Sequence, residues 1–181
     1  MVAVRQVTVD EFEAMPLAGQ WELIEGELVE VAPASDEPSS TGIWIGHLLL
    51  QHVHPARLGR VYGADGGFVL FPDRNTVLVP DVAFVRADRA PQGKARKRFP
   101  RLAPDLVVEV LSPSNRASDV VAKIEMYQEA GVPLIWLVDP DAVTVTVIAA
   151  GSATRVLRAG DTLDGGDVLP GFSVPVADIF A

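Results

Sequence analysis

The chain of 181 residues contains no cysteine. Disulfide frameworks, thiolate zinc sites, thiol nucleophiles and redox pairs are thereby excluded together, so any metal must be held by oxygen or imidazole. Imidazole is scarce as well. His47, His52 and His54 are the three histidines; none stands four residues from another, and His52 and His54 cannot share a helix face, so they are read as core or surface residues. The sequence has no P-loop and no dinucleotide fingerprint. It also lacks a G-x-S-x-G elbow, and Ser112 precedes Pro113, which has no N–H to help form an oxyanion hole; a serine hydrolase built on Ser112 or Ser114 is disfavoured. No stretch reaches the roughly 18 uncharged apolar residues of a spanning helix, and the opening segment MVAVRQVTVDEF has no apolar centre of signal-peptide length. A soluble, cytoplasmic protein is expected. There is no internal repeat.

Positive charge is also in short supply, with 15 basic against 24 acidic residues and a net charge of −9. Such a field opposes indiscriminate attraction to polyanions, so nucleic acid is a partner only where cations are concentrated. They are: Arg86, Arg89, Lys94, Arg96, Lys97, Arg98 and Arg101 place seven of the fifteen within sixteen residues. With 49% hydrophobic and 22% charged residues the chain can bury a substantial core, and its length argues for a single domain over residues 1–181.

Thr8 and Glu11 have the spacing of a capping box, which predicts a short helix from Thr8 to about Met15. The string WELIEGELVEV from Trp21 to Val31 reads as a hairpin around Glu25-Gly26-Glu27. Pro33 to Ser40 is a loop by composition, and Thr41 to about Val53, apolar nearly all round and ending before Pro55, a buried helix. Short strands are expected at Arg60–Gly63, Gly67–Phe71 and Val77–Val85, the last broken by Pro80, arranged as an antiparallel meander. Ala87 to Pro104 is charged and proline-punctuated, the pattern of an exposed mobile loop. Asp105–Leu111 then forms a central strand, Ser114–Ala130 a helix stopped by Gly131, and Pro133–Val138 and Ala142–Ala149 two further strands. Strand, helix and strand make a right-handed crossover in a mixed sheet. The tail beyond Gly151 adds short strands closing an edge.

Glu109 is the most informative residue. It lies mid-strand among Val107, Val108, Val110 and Leu111, and alternation puts it on the face of Val107 and Leu111, pointing into a packed layer. An unpaired carboxylate there is expensive, so a cation must meet it, either a lysine or arginine or a divalent ion. Asp81, behind Pro80 and between two apolar runs, is a second carboxylate of the hard-oxygen type that Mg²⁺ uses, although Pro-Asp pairs are commonly just turns. Lys123 follows in the next helix, where Asp119, Lys123 and Tyr127 are spaced four apart on one stripe. An inward-facing Lys123 approaches the carboxylates; an outward-facing one is an ordinary surface pair with Asp119.

These segments together resemble a known family. PDVAFV, APDLVVEVLSPS, a helix bearing Lys123 and Tyr127, WLVDP, the upstream WELIEGEL and the tail DTLDGGDVLPGFSVPVADIF are similar to the bacterial Uma-two family of restriction-endonuclease-like proteins. The likeness runs from Trp21 to the tail. It implies the fold of the PD-(D/E)XK nuclease superfamily, an α+β or α/β arrangement with a mixed sheet flanked by helices and additional antiparallel strands. It also implies Mg²⁺, with Mn²⁺ as substitute, held by Asp81 and Glu109, with Lys123 and an acid of the WELIEGEL segment assisting. Between Glu22 and Glu25 the residues do not decide; Glu22 is preferred. The superfamily's usual lysine two residues after the acid is replaced here by Leu111, and the family's histidine near the position of Thr41 is absent.

The implied activity is a metal-dependent endonuclease, a phosphodiesterase hydrolysing nucleic acid, with DNA as substrate and Lys94, Arg96, Lys97 and Arg98 contacting its phosphates. Leu111 keeps a catalytically silent binding or regulatory module as the alternative. A homodimer is expected from the resemblance, with the apolar segment Val168–Phe180 offering contact surface.

Overall fold

The computed structural model describes residues 6–180; the first five residues of the opening segment lie outside them. At the start of the described chain, Thr8 caps α1 (Val9–Ala14) through a reciprocal capping box: Glu11 N–H donates to Thr8 Oγ1 and Thr8 N–H to Glu11. Such a cap stabilises a helix end by about 1 kcal/mol. The predicted hairpin forms as β1 (Gln20–Ile24) and β2 (Glu27–Val31), with Ile24 opposite Glu27. Its two linking residues, Glu25 at φ 50° and Gly26 at φ 82°, are both left-handed, the geometry whose twist matches paired strands.

The next helix differs from expectation. α2 runs Asp36–Ala56, so the second half of the expected loop is helical. Pro38 sits in the first turn, where its missing N–H has no partner to lose, and Pro55 lies in the last turn. Nor is α2 buried all round. Pro38, Thr41, Gly42, Ile45, Leu49 and Val53 form the buried stripe, while Ile43 and Leu50 face outward.

Next come β3 (Gly59–Gly63), β4 (Phe68–Phe71), β5 (Thr76–Leu78) and β6 (Val82–Arg86). These do not form the expected meander. β3 pairs with β6, whereas β4 and β5 pair with each other and, through Leu23 opposite Val77, with β1. The single run Val77–Val85 is thus two strands in two sheets. Pro80, unable to donate into a ladder, marks the transfer.

β7 (Leu106–Val110), α3 (Ala117–Glu129) and β8 (Leu134–Asp139) follow, with β7 and β8 parallel as a strand-helix-strand crossover requires. α3 begins three residues later than expected and ends before Gly131, whose φ of 82° stops it. β9 (Thr144–Ala149) and β10 (Arg155–Arg158) extend the edge, and β11 (Thr162–Asp164) pairs with β12 (Ser173–Pro175). The architecture is mixed α+β: a six-stranded sheet ordered β10-β9-β8-β7-β6-β3, a four-stranded sheet ordered β2-β1-β5-β4, and the β11-β12 pair.

Alternation along the strands splits the core into layers. Val82, Phe84, Val108, Val110, Trp136 and Val138 face α2 and the C-terminal segment. Ala83, Val107 and Ile135 face the other way, onto the four-stranded sheet and α3. Leu169, Phe172, Val176 and Ile179 are buried in this chain's own core. They are therefore not the dimer contact surface expected of Val168–Phe180.

The segment from Ala87 to Pro104 is exposed in large part, with a 3₁₀ turn at Gly93–Lys97. It is tied down at several points. Phe99 packs on Phe12, Pro100 accepts from Val69 N–H, and Arg98 and Arg101 pair with Asp10 and Glu13 on α1. No described helix is long and apolar enough to cross a membrane.

Candidate active site

The transfer between sheets creates the site. Val79 and Pro80 leave β5 before the chain joins β6, so the Val79 peptide groups lose their ladder partners while buried. Two side chains replace them: Glu22 on β1 accepts from Val79 N–H at 2.8 Å, and Lys123 on α3 donates to the Val79 carbonyl at 3.3 Å. Glu22 and Lys123 themselves pair at 2.9 Å.

Lys123 also meets Glu109 on β7, at 3.0 Å to Oε1 and 3.2 Å to Oε2. One turn on along α3, the hydroxyl of Tyr127 donates to Glu109 Oε1 at 2.6 Å. Lys123 and Tyr127 are thus the inward stripe of α3. Asp119, expected on the same stripe, is exposed and bonds Ser118, so the ordinary surface pair with Lys123 does not form. Asp81, at the bend after Pro80, accepts from Val110 N–H through Oδ2 at 2.7 Å. Its Oδ1 takes no hydrogen bond among the described residues, and Asp81 lines an open groove.

Glu22 and Glu109 therefore hold one ammonium group, with side-chain exposures of 7% for Glu22, 13% for Glu109 and 19% for Lys123, and Asp81 lies close enough for its charge to act on Glu109 and to feel Lys123. Burial pushes the Glu109 carboxyl up; Asp81 and Glu22 add to this against the pull of Lys123 and the Tyr127 bond, and it reaches about 7. Burial also raises Asp81, partly opposed by the Val110 N–H and by Lys123. For Lys123, burial works toward deprotonation, but Glu109 and Glu22 outweigh it and lift the ammonium above its ordinary value. Tyr127 is raised by burial and by the Glu109 charge, so its hydroxyl stays a donor.

Three carboxylates against one ammonium group leave two formal negative charges in excess in a poorly solvated space, a balance that suits a divalent cation. Among the described residues no three His, Asp or Glu side chains form a self-sufficient cage, so water or substrate would complete the shell of an ion held here.

Of the residues singled out in the sequence, the fold brings Asp81, Glu109, Lys123 and Glu22 together. Glu25 is at the tip of the hairpin, exposed and 3.9 Å from Arg74. Lys94, Arg96 and Lys97 have exposed side chains without ion pairs among the described residues, whereas Arg98 is engaged by α1. Leu111 follows β7, its N–H bonded to the Val138 carbonyl. Ser112 bonds Ser114, His52 contacts the Pro170 carbonyl, and His47 stacks on Trp44. Tyr127 was not singled out as a site residue, although its spacing of four from Lys123 was the signal. The role of the Val79 peptide left no trace in sequence.

The fold and the acid-lysine cluster are those of a nuclease-like protein. The sequence matches the Uma2 family, described as putative restriction endonuclease, over residues 9–177, and the chain belongs to that family. Its fold is shared with the crystal structure of a putative nuclease belonging to DUF820 from Anabaena variabilis, at a TM-score of 0.84 and 23% identity, covering 96% of this chain and 97% of that one. No curated protein matches the sequence.

Proposed function

We propose that this protein is a Mg²⁺-dependent endonuclease hydrolysing phosphodiester bonds of DNA. One observation carries the reading: Asp81, at the bend after Pro80, and Glu109, on β7, lie in a poorly solvated region where a single ammonium group leaves net negative charge. Membership of a family described as restriction endonucleases agrees with it.

Asp81 Oδ1 and Glu109 would hold the ion. When bound, Mg²⁺ supplies Lewis-acid chemistry, drawing charge from a phosphoryl oxygen and acidifying water. In the hydrolysis a water oxygen bonds to phosphorus, the bond from phosphorus to one bridging oxygen breaks, and that oxygen leaves with a proton. Lys123 is held protonated by Glu109 and Glu22, which suits it to offset negative charge building on the phosphate and unsuits it to act as a base. Tyr127 fixes the Glu109 carboxylate, and the Val110 N–H fixes Asp81. Lys94, Arg96 and Lys97, exposed on their 3₁₀ turn, would contact backbone phosphates, which positions DNA without reading its sequence. The silent-module alternative rested on Leu111; here the ammonium group reaches Glu109 from α3 instead.

A cleavage assay on supercoiled plasmid and on single-stranded DNA tests the proposal. Cleavage of either with Mg²⁺ or Mn²⁺, abolished by EDTA and by Asp81→Ala, is the expected result; cleavage that survives Asp81→Ala, or none of either substrate with any divalent ion, sinks it.

A further inference from the structure

Asp81 borders more than the Glu109 cluster. A groove of about 610 Å³ opens between α2, β3 and the start of β6, and Gly42, Ile43, Gly46, His47, Leu50 and Asp81 are among its lining residues. Gly42 and Gly46 keep the helix wall low: a Cβ at Gly42 would stand 4.0 Å from Asp81 Cβ, and one at Gly46 4.0 Å from the Val82 methyls. Beside them Ile43 is 76% and Leu50 46% exposed. The His47 ring stacks on Trp44, centroids 5.1 Å apart and planes at 22°, and Trp44 is anchored by its Nε1 donating to the Asp178 carbonyl at 2.7 Å. The groove wall thus offers aliphatic side chains and the His47 ring, steadied by its stacking on Trp44.

None of the fifteen lining residues is lysine or arginine. A phosphodiester backbone laid along the groove would meet no cation and would face Asp81 in a protein of net charge −9. Duplex recognition works the other way, through cations on phosphates. A nucleobase is flat and uncharged, and aliphatic and aromatic faces are its favourable partners. The volume is that of a small-molecule site, about 300–1,000 Å³, which admits a nucleotide and not a double helix.

We propose that this groove receives the base of an unpaired nucleotide, so that the enzyme acts on single-stranded or flipped-out positions of DNA and not on an intact duplex. The inference rests on the nuclease reading above and adds the substrate class. The base lies against Ile43, Leu50 and the His47 ring, and the Asp81 end of the groove, once it holds the ion, takes the attached phosphate. Extrusion of a base costs least where pairing is already lost, which favours gaps, flaps and free strands.

The test uses the full chain and three labelled DNA oligonucleotide substrates of one sequence: single strand, duplex with a single-stranded flap, and intact duplex. Binding and cleavage are measured with Mn²⁺, and Mn²⁺ affinity separately by calorimetry. Gly46→Leu fills the groove while favouring the helix, and its Cβ meets Val82 at ordinary contact distance. The expected result is preference for single strand and flap over duplex by about tenfold or more, lost in Gly46→Leu with Mn²⁺ affinity unchanged. His47→Ala weakens single-strand binding several-fold, and His47→Phe restores it, since stacking is what the ring provides. Equal cleavage of duplex and single strand, unaltered by Gly46→Leu, overturns the inference and leaves the nuclease reading standing. No cleavage and no binding of any substrate overturns both.

Discussion

Two charged clusters join distant parts of this chain, and they differ in balance and burial. On the surface, Asp10 and Glu13 of α1 meet Arg98 and Arg101, two charges against two, with Arg98 half exposed. At the junction of the two sheets, Glu22 and Glu109 hold Lys123, Asp81 adds a third negative charge nearby, and all are largely withdrawn from water. The outer cluster is neutral and screened, and acts as a stitch between α1 and the basic segment. In the inner one, water no longer screens and the charges do not cancel. Stitching needs balance; a site for a cation needs a deficit.

The sharpest way to break this contrast is to remove the open ligand. Asp81→Ala is expected to lower Mn²⁺ affinity and DNA cleavage at least about a hundredfold, read by calorimetry and by nicking. Unaltered Mn²⁺ binding would show that the inner cluster is only an ion pair. Lys123→Met leaves Glu22 and Glu109 buried without their cation. Urea unfolding of the metal-free protein should show a loss of about 3–5 kcal/mol, and a loss below about 1 kcal/mol would mean that water reaches the cluster freely.

Tyr127→Phe keeps the ring and removes the bond to Glu109 Oε1. Mn²⁺ affinity should fall about tenfold while the fold persists, because a group that orients a ligand contributes on that scale. The pH dependence of stability is a gentler probe. Glu109 has its pKa raised from 4.5 to about 7, so between these values the native state holds a proton that the unfolded chain has released. Its stabilising contribution is therefore complete below about 4.5 and lost as pH rises through about 7; the raised Asp81 acts in the same direction. The Tm of the metal-free protein should decline from about pH 5 to about pH 8. Glu109→Gln should flatten that decline. The smallest effect belongs to the outer cluster: Arg98→Ala should leave Tm nearly unchanged, and a large drop would show that the stitch is not screened.

Much of the inner cluster was legible. A carboxylate centred in Val107–Leu111 demanded a cation, and the spacing of Lys123 and Tyr127 put both on one stripe of α3. What the residues could not show was which side that stripe would face. Nor could they separate Glu22 from Glu25: the two lie three apart in a hairpin, and only the pairing of β1 with β5 turns Glu22 toward Val79. The meander was misread because short-range pattern identifies strands but carries nothing about partners. In Val77–Val85 Pro80 reads as a break within one sheet, whereas it marks the passage between two.

The outer cluster was misread for a related reason. Local pattern makes Ala87–Pro104 an exposed mobile loop, yet the acids that occupy Arg98 and Arg101 lie some eighty-five residues earlier, on α1. Likewise the apolar tail was visible, but whether it faced another copy or its own core was not.

Local chemistry decided by itself the capping box at Thr8, the hairpin at Glu25-Gly26, most element boundaries and the need for a cation beside Glu109, since each depends on residues within a few positions of one another. Only tertiary structure decided which strands pair, that Asp81 stands where two sheets meet, that Glu22 and Glu109 share one lysine, and that a groove without lysine or arginine opens beside them. Those features depend on groups up to a hundred residues apart, brought together by the burial of faces whose partners no local pattern names.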